Sequence, residues 1–352
     1  MIKSIKQKIL IIGAFAFDTG DTGGQPVKTR ELFYALQNKY GEDNIDYIET
    51  IGWKKHPISL FFTCLIKAKN ADVIIMLPAH NGLLIFSRLL YFFKKRYKKK
   101  IYYDVVGGWL AEKINEVPKL IKYLREFDSI WVETTTMYKN LNILGFKNVV
   151  VVPNFKKLIP LTENEMIIQN NKPLKLCTFS RVMKEKGIED LITAINIINT
   201  HEIKYKLDIY GPVDASYKDK LNKLLLTSNN CARYCGIKDP KDSVKTLKNY
   251  FALVFPTRFY TEGIPGTIID AYYAGVPVIA SKWESFADVI DDNITGIGYE
   301  FGDIGELVSV LSDIANNPNL INKLKKNCIN KSFEYTPEFA LELMKIGEEN
   351  DL

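Results

Sequence analysis

The stretch that most constrains the fold runs from Phe255 to Ser281 and reads FPTRFYTEGIPGTIIDAYYAGVPVIAS. An apolar strand end leads into a polar loop that holds Glu262, glycines and a proline then open a helix at Thr267, and a second apolar run follows. This order of strand, glycine-rich turn, helix and strand is typical of an open parallel α/β sheet, which binds ligands at the carboxyl ends of its strands. Backbone N–H groups at such a helix start favour an anion such as a diphosphate.

The acidic residues of this stretch indicate what else the ligand carries. Glu262 cannot attract a phosphate, so we expect its carboxylate to accept hydrogen bonds from hydroxyl groups. Asp270 follows eight residues later, on the first turns of the helix. A ligand that carries both phosphates and hydroxyls suggests a sugar nucleotide. The alternative is an ordinary strand-to-helix turn with two surface acids.

Length and composition narrow the class of protein. The 352 residues suggest roughly two domains, and a hydrophobic content of 47% is enough for sizeable cores. The net charge of +6 fits an anionic ligand or an anionic membrane surface, and no basic low-complexity tail indicates nucleic-acid binding. Five scattered cysteines fit a reduced cytoplasm, and neither they nor the three histidines have the spacing of a metal site. No apolar run reaches the ~20 residues of a transmembrane helix.

The first half of the chain alternates strand-like and helix-like segments, which predicts a doubly wound α/β domain. The apolar runs that read as strands are Lys8–Phe17, Ile45–Glu49, Asp72–Leu77, Lys100–Val106, Ile130–Glu133 and Asn148–Asn154. The loop after the first strand, DTGDTGGQ, contains neither G-x-G-x-x-G nor G-K-[ST], so neither a dinucleotide site nor a P-loop is indicated.

The second half begins after a polar segment, residues 157–173, that reads as a linker. A predicted strand, Leu174–Phe179, ends in a loop with Arg181 and Lys186, and an amphipathic helix follows. Two cations five residues apart on such a loop can converge on one anion, Arg through a bidentate fork and Lys as a point charge. Surface basic residues are the alternative.

Three of these motifs resemble those of glycosyltransferase family 4. The stretch after Glu262 is similar to the family signature E-G-x-x-x-P-x-x-E-A with G-x-P-V-I-A, although Asp270 replaces the second glutamate and Pro265 falls two places early. Its P-G-T-I-I-D-A form resembles capsule and O-antigen transferases. SRVMKEKG resembles the family's G-R-x-x-x-E-K-G, and NVVVVPN resembles the N-V-x-V-x-P-N that ends the first domain.

The resemblance implies the α/β fold called GT-B, in which two Rossmann-like domains face a cleft. It places an acceptor domain at residues 1–156, a linker at 157–173, a donor domain at 174–334 and a helix at 335–352 that crosses back to the first domain. The implied activity is a retaining glycosyl transfer from a nucleoside-diphosphate sugar, with UDP-sugar expected, to a lipid-linked or oligosaccharide acceptor of surface polysaccharide synthesis. The sequence contains no D-x-D triplet, so neither a metal nor another cofactor is expected.

The resemblance also assigns roles to single residues. Glu262 would bind the donor sugar, Asp270 the ribose, and Arg181 and Lys186 the diphosphate. The family commonly has a histidine where this sequence has Gly107, and His80, at the end of the neighbouring strand, is expected to take its place. The alternative is a histidine that only caps the turn. The expected catalytic residues are Glu262, Arg181, Lys186 and His80. The expected donor site comprises Gly23, Gly24, Arg181, Lys186, Glu262, Gly263, Ile264, Pro265, Gly266, Thr267 and Asp270, and the acceptor side Gln25, Lys28, Gly107 and Gly108.

The segment Leu83–Lys100 indicates a further partner. Its apolar residues go all round a helix, and the basic run KKRYKKK follows them. We therefore expect this helix to lie on an anionic membrane surface. The protein would then be cytoplasmic and bound to the inner face of the cytoplasmic membrane. The alternative is a helix packed between the sheet and Pro57–Ile66.

Two other functions remain open at this point. A sugar-nucleotide epimerase or hydrolase of the same fold would share the phosphate site and need no acceptor. A non-catalytic subunit of a transferase complex is disfavoured, because Glu262, Arg181 and Lys186 are all present.

Overall fold

The computed structural model of the protein describes residues 7–20 and 23–347. The chain forms two compact units. Unit 1 runs to Lys157 and takes in the chain again from Thr336, whereas unit 2 spans Leu158–Tyr335. Each unit is built around its own six-stranded parallel sheet.

The predicted linker and the predicted C-terminal helix can each be assigned to one of these units. Most of the segment 157–173 belongs to unit 2, where the Leu161 N–H donates to the Tyr273 carbonyl oxygen at 2.9 Å. The helix predicted at 335–352 belongs to unit 1, and its residues 348–352 lie outside the described residues.

The strands follow one another along the chain with helices between them. In unit 1 they are β1 (Ile9–Gly13), β2 (Ile45–Glu49), β3 (Val73–Met76), β4 (Lys100–Asp104), β5 (Ser129–Val132) and β6 (Val149–Val151). In unit 2 they are β7 (Leu174–Phe179), β8 (Tyr205–Tyr210), β9 (Ala232–Tyr234), β10 (Ala252–Phe255), β11 (Val278–Ser281) and β12 (Gly296–Tyr299).

The α-helices cover the faces of the two sheets. They are α1 (Gly24–Tyr40), α2 (Pro57–Asn70), α3 (His80–Tyr97), α4 (Leu110–Glu116), α5 (Lys119–Leu124), α6 (Thr135–Ile143), α7 (Ile188–Ile198), α8 (Lys218–Leu226), α9 (Ser243–Leu247), α10 (Gly266–Tyr273), α11 (Phe286–Val289), α12 (Ile304–Asn316), α13 (Asn319–Asn322), α14 (Lys325–Ser332) and α15 (Pro337–Met344). Within the described ranges, no helix is long and apolar enough to cross a membrane.

Both faces of the unit 1 sheet are buried, which explains the continuous apolar runs of its strands. Along β1, Leu10 and Ile12 face a core shared with α2 to α6, whereas Ile9 and Ile11 face a core shared with α1 and α15. The return of the chain to unit 1 therefore completes the second layer of that unit.

The strand orders define where each sheet can bind a ligand. Unit 1 has the order β2-β1-β3-β4-β5-β6, so the direction of winding reverses between β1 and β3. Unit 2 has the order β12-β11-β10-β7-β8-β9, and its reversal lies between β10 and β7. The connections leave an open crevice at the carboxyl ends of the strands that flank a reversal. The predicted motifs lie at these two points.

Two strand predictions differ from the structure. The first strand was expected to continue to Phe17, but β1 ends at Gly13, because the backbone then turns and the Glu49 carboxylate accepts hydrogen bonds from the N–H groups of Phe15 and Ala16. The sequence did not indicate β12, whose segment GIGY contains two glycines and so has a weak strand signal.

Candidate active site

Two loops meet at the reversal point of unit 2. β7 and β10 are neighbouring parallel strands, with Leu176 opposite Ala252. The loop that follows β7 leads to α7, and the loop that follows β10 leads to α10. The motifs SRVMKEKG and TEGIPG thus lie side by side at one edge of the sheet, although they are far apart in the chain.

Lys186 and Glu262 form an ion pair between these two loops. Both side chains are largely buried, and the Thr257 hydroxyl donates to the same carboxylate oxygen at 3.2 Å. The Lys186 ammonium group also lies 5.4 Å and 5.0 Å from the ring centroids of Phe255 and Phe259. These aromatic walls keep water from one side of the pair, which strengthens its electrostatics.

Glycines allow the loop backbones to approach this closely. Gly187 has a φ of +67°, and a Cβ there would overlap the carbonyl oxygen of Pro256. Gly211, after β8, has a φ of +131°, and a Cβ would overlap the carbonyl oxygen of Ser180. Only glycine combines these backbone conformations with so little space.

A second ion pair, which was not predicted from the sequence, connects the same two loops. The Arg258 guanidinium donates two hydrogen bonds to the Asp190 carboxylate on α7, at 2.6 Å and 2.9 Å. The Arg258 backbone N–H also donates to the Glu185 carbonyl oxygen at 2.8 Å. One signal was available: Asp190 lies among the buried residues of an amphipathic helix, and a buried acid requires a partner.

Arg181 is placed differently from Lys186. Its side chain is exposed, and its guanidinium makes no hydrogen bond or ion pair within the part of the chain that the structure describes. Its charge acts on Asp214, whose carboxyl pKa is lowered mainly by hydrogen bonds from Ser216 and to a smaller extent by Arg181. Arg181 is therefore available to an incoming anion.

The turn Gly263–Thr267 opens α10 without a side-chain cap. Gly263 and Ile264 are buried, while Pro265, Gly266 and Thr267 are partly exposed. The Thr267 hydroxyl oxygen is inaccessible and has no hydrogen-bond partner among the described residues. An uncapped helix start with unsatisfied N–H groups can bind an anion, as the sequence analysis expected of this turn.

Asp270 occupies a position that its predicted contact with a ribose does not fit. The residue is only 3% exposed, because it faces inward on the apolar helix α10. The Ser243 hydroxyl donates to its carboxylate at 3.1 Å, which ties α10 to α9. In this structure the Asp270 carboxylate therefore helps to position α10.

The unit 1 residues His80, Gly107 and Gly108 lie at the ends of the neighbouring strands β3 and β4. The His80 ring stacks on Trp109, with centroids 4.1 Å apart, and a Cβ at Gly107, where φ is +81°, would press on the same indole. The Trp109 indole N–H donates to the Val106 carbonyl oxygen at 2.7 Å. Trp109 was not predicted as a site residue.

The His80 imidazole favours its neutral form. Partial burial and the nearby charge of Lys113 lower its pKa, while Glu116 acts in the opposite direction. A neutral, exposed imidazole at the carboxyl edge of the sheet can accept a hydrogen bond from a hydroxyl group.

The start of α1 lies at the unit 1 reversal point. Gly23 is the N-cap residue of the helix, and the space that a Cβ at Gly24 would occupy is open. Gln25 is turned toward the protein, because its side-chain amide donates to the Leu77 carbonyl oxygen at the end of β3, at 2.8 Å. This edge of the sheet therefore offers a ligand the backbone at the start of α1 more than the Gln25 side chain.

Lys28 is not presented to an acceptor, contrary to its predicted place on the acceptor side. It is 2% exposed, because the helical repeat puts it on the buried side of α1. Its ammonium lies 2.8 Å from the Asp104 carboxylate and 3.0 Å from the Glu133 carboxylate. Burial alone would lower the pKa of Lys28, but the two carboxylates outweigh this effect and raise it.

Residues 162–331, all within unit 2, match the family model described as glycosyl transferases group 1. This region is a glycosyl transferases group 1 domain. The matched range contains Arg181, Lys186, Glu262 and the α10 turn, so both loops lie within it.

Curated relatives of the chain include polysaccharide glycosyltransferases. The chain is 28% identical over 148 residues to the capsular polysaccharide biosynthesis glycosyltransferase CapM of Staphylococcus aureus, which covers 42% of this chain and 38% of the relative. It is 24% identical to the amylovoran biosynthesis glycosyltransferase AmsK of Erwinia amylovora, over 40% of this chain and 36% of the relative. An uncharacterised protein of the Klebsiella pneumoniae cps region is 25% identical over 77% of this chain and 76% of its own length.

Solved structures match almost the whole chain. Anabaena HepE, solved with UDP, has a TM-score of 0.74 at 13% identity and covers 96% of this chain and 98% of its own. Sucrose-phosphate synthase of Thermosynechococcus elongatus has a TM-score of 0.76 at 15% identity, with coverage of 97% and 98%. At these identities the likeness establishes the fold, and the predicted GT-B fold is confirmed.

The group 1 domain and the glycosyltransferase relatives support the prediction of a glycosyltransferase enzyme. The structure brings Lys186 and Glu262 together in unit 2, and His80 and Gly107 in unit 1. The described residues include no group of three or more His, Cys, Asp or Glu side chains able to hold a metal ion. A metal-independent reaction stays a prediction.

Proposed function

We propose that this protein transfers a sugar from a nucleoside-diphosphate sugar to a saccharide acceptor in the assembly of a surface polysaccharide. The observation that carries the proposal is the convergence of Lys186, Glu262 and the uncapped start of α10 at the reversal point of unit 2, with Arg181 exposed on the same loop as Lys186. This arrangement offers cations and N–H groups to a diphosphate and a carboxylate to sugar hydroxyls.

A bound donor would give Lys186 and Glu262 separate partners, the diphosphate for the ammonium group and the sugar hydroxyls for the carboxylate. Without a ligand, the Glu262 carboxylate balances the charge of Lys186. A bound diphosphate competes for the ammonium group and leaves the carboxylate to accept hydrogen bonds from the sugar. As the bond between sugar and phosphate breaks, negative charge grows on the leaving diphosphate, and Lys186, Arg181 and the N–H groups of the α10 turn stabilise it.

Three finer features belong to the same proposal. We infer a UDP-sugar as donor, supported by HepE, whose structures contain UDP and UDP-glucose. We infer retention of configuration, with the acceptor attacking the face from which the diphosphate departs. Asp270 then shapes the nucleotide site through the position of α10, and it does not contact the ribose directly.

The acceptor is proposed to be a lipid-linked saccharide, bound on the unit 1 side by His80 and the backbone at Gly107 and Gly108, with Gly23 and Gly24 kept on the donor side. The relatives named for capsular polysaccharide and amylovoran biosynthesis support a role in polysaccharide synthesis, and the lipid link is our own proposal. The enzyme would then work in the cytoplasm, at the inner face of the cytoplasmic membrane.

The test combines donor binding with turnover. A panel of UDP-, GDP- and ADP-sugars is screened by thermal shift, because a ligand of the folded state stabilises it by RT ln(1 + [L]/Kd). We expect stabilisation by UDP-sugars, and sugar transfer when a membrane extract containing lipid-linked saccharides is added. If no nucleotide sugar stabilises the protein, the proposal is wrong. Steady consumption of the donor without an acceptor would instead identify a hydrolase or epimerase.

A further inference from the structure

Helix α2 of unit 1 exposes four of its large apolar side chains, although Leu60 and Leu65 pack against the core. Cys64 and Ala68 are its buried residues, packed in the core shared with α3. On the outer side, Ile58 is 73% exposed, Phe62 57% and Ile66 65%, at a spacing of four residues that forms one stripe. Phe61 is also exposed and contacts Phe62. A helix on a solvated surface normally has polar residues on its outer face, whereas the outer face of α2 is apolar.

The apolar face continues onto the adjoining elements. Both α2 and α3 begin at the carboxyl edge of the sheet and pack on the same side of it. In the first turns of α3, Leu84 and Ile85 are exposed. Ile51, in the loop before α2, is exposed as well, and Trp53 connects this loop to Phe86 on α3. The exposed apolar surface therefore lies at the end of unit 1 that carries His80.

The charged residues in the segment that carries this face are mostly basic, and the exposed acid Asp46 on β2 pairs with Lys67 of α2. Residues 51–100 contain eleven Lys and Arg residues and a single acid, Asp72. Lys54 and Lys55 are exposed directly before α2. The polar residues that lie between Ile58 and Ile66 along α2, Ser59 and Thr63, are uncharged. An apolar strip bordered by cations complements an anionic lipid surface, whose headgroups attract Lys while its acyl region takes up aromatic and branched side chains.

The structure exposes only part of the segment Leu83–Lys100 that was predicted to lie on a membrane. The apolar residues of α3 do not all face outward, because Leu83, Phe86, Leu90 and Phe93 form part of the unit 1 core. The basic run at the far end of α3 is largely engaged within the protein. Lys94 and Lys95 pair with Asp128 and Glu126, and Lys99 and Lys100 donate to backbone carbonyl oxygens.

We propose that the α2 face, formed by Ile58, Phe61, Phe62 and Ile66 with Lys54 and Lys55 at its margin, binds the surface of an anionic membrane. The helix lies in the plane of the interface with its outer stripe among the headgroups and upper acyl chains. Because α2 and α3 start at the same edge of the sheet, this contact holds the His80 edge of unit 1 close to the lipid surface. The binding does not require a donor nucleotide.

The experiment is vesicle flotation of the full chain. Vesicles of phosphatidylglycerol and phosphatidylethanolamine are compared with vesicles of phosphatidylcholine, at low and high salt. Phe61→Ser/Phe62→Ser removes part of the stripe, and Lys54→Gln/Lys55→Gln removes the marginal charge. Ile143→Ser is the matched control, because Ile143 on α6 is 83% exposed in the same unit. Lys95→Gln tests the basic run of α3.

We expect the wild type to float with the anionic vesicles and to float less at high salt. The Phe61→Ser/Phe62→Ser variant should lose at least about tenfold in the vesicle-bound to free ratio, as removal of one inserted aromatic side chain predicts. The lysine variant should lose its salt dependence, whereas Ile143→Ser and Lys95→Gln should behave like the wild type. Thermal shift with UDP serves as the fold control, and it reports on the donor site separately.

Three results would overturn the proposal. The first is a wild type that does not float with anionic vesicles at low salt. The second is flotation that the stripe variant leaves unchanged. The third is a wild-type dimer in size-exclusion chromatography that the stripe variant dissociates while neither protein floats, because a second copy of the chain would then cover the α2 face.

Discussion

The ammonium group of Lys186 and the carboxylate of Glu262 form an ion pair across 76 residues of sequence. The pair joins the two loops that follow β7 and β10, where the unit 2 sheet reverses its winding. In the proposed reaction each partner has a separate task, and in the ligand-free structure the two charges balance each other. The variants below separate these tasks.

Glu262→Gln should abolish transfer while nucleoside diphosphate still binds. The amide keeps the size of the side chain but loses the charged acceptor, and loss of such a group at a reacting centre costs about 10²–10³ in rate. Binding of UDP should remain or tighten, because Lys186 is released from its partner. Calorimetric titration with UDP and a transfer assay measure both effects. Glu202→Gln, at an exposed site of unit 2, is the control; wild-type turnover in Glu262→Gln would refute the assignment.

Arg181→Ala and Lys186→Ala should each weaken the binding of UDP as well as the rate. A hydrogen bond to a charged group contributes roughly 1.5–3 kcal/mol, so the affinity should fall by about tenfold or more. Lys184→Ala is the matched control, because Lys184 is exposed on the same loop. Arg181→Lys should recover only part of the lost affinity, because the ammonium group of lysine cannot make the bidentate hydrogen bonds of a guanidinium. Undiminished affinity in both alanine variants would show that these residues do not meet the diphosphate.

The Arg258–Asp190 pair should act as a positioning device for the same loops. Arg258→Ala and Asp190→Ala each break the bidentate contact that fixes the Glu262 loop to α7. We expect both to raise the donor KM by a similar factor, and the double variant to add little to either single change, because interacting residues are not additive. A double-mutant cycle on KM, with thermal melting as the fold control, tests this. Strictly additive effects would mean that the pair has no joint role.

Lys325→Met should stabilise the protein at neutral pH. Lys325 is 2% exposed, and its nearest hydrogen-bond acceptors are the carbonyl oxygens of Tyr250 and Phe251 at 3.5 Å. Burial lowers its pKa from 10.5 to about 8. This shift corresponds to roughly 3 kcal/mol of stability that the charged lysine costs at pH 7.

The pH dependence of this cost has a definite sign. Between about pH 8 and pH 10.5 the unfolded chain holds the Lys325 proton and the folded chain has lost it, so the wild-type free energy of unfolding rises with pH in this window. The advantage of Lys325→Met should therefore be full below pH 8 and shrink toward pH 10.5. Urea unfolding at several pH values measures it, with Lys326→Met, at the exposed neighbour, as control. An advantage independent of pH would contradict the explanation.

The sequence by itself determined the fold class and the two loops that follow β7 and β10. Alternating apolar runs and helical segments predict parallel α/β units, because that pattern depends only on neighbouring residues. The loops SRVMKEKG and EGIPGTIID are local in the same sense, since the turn, the glycines and the charged groups lie within a few residues of each other. The structure keeps each of these loops at the carboxyl end of its strand.

Tertiary structure decided which charged and apolar side chains reach the surface. Lys28 is buried because Asp104 and Glu133, 76 and 105 residues further along the chain, meet its ammonium group in the core. Asp270 and α2 show the same dependence on tertiary structure. The acid Asp270 is buried, whereas the outer apolar stripe of α2 is exposed. A local pattern records the type and spacing of side chains, but burial of a charge depends on partners that only the folded chain brings within a few ångströms.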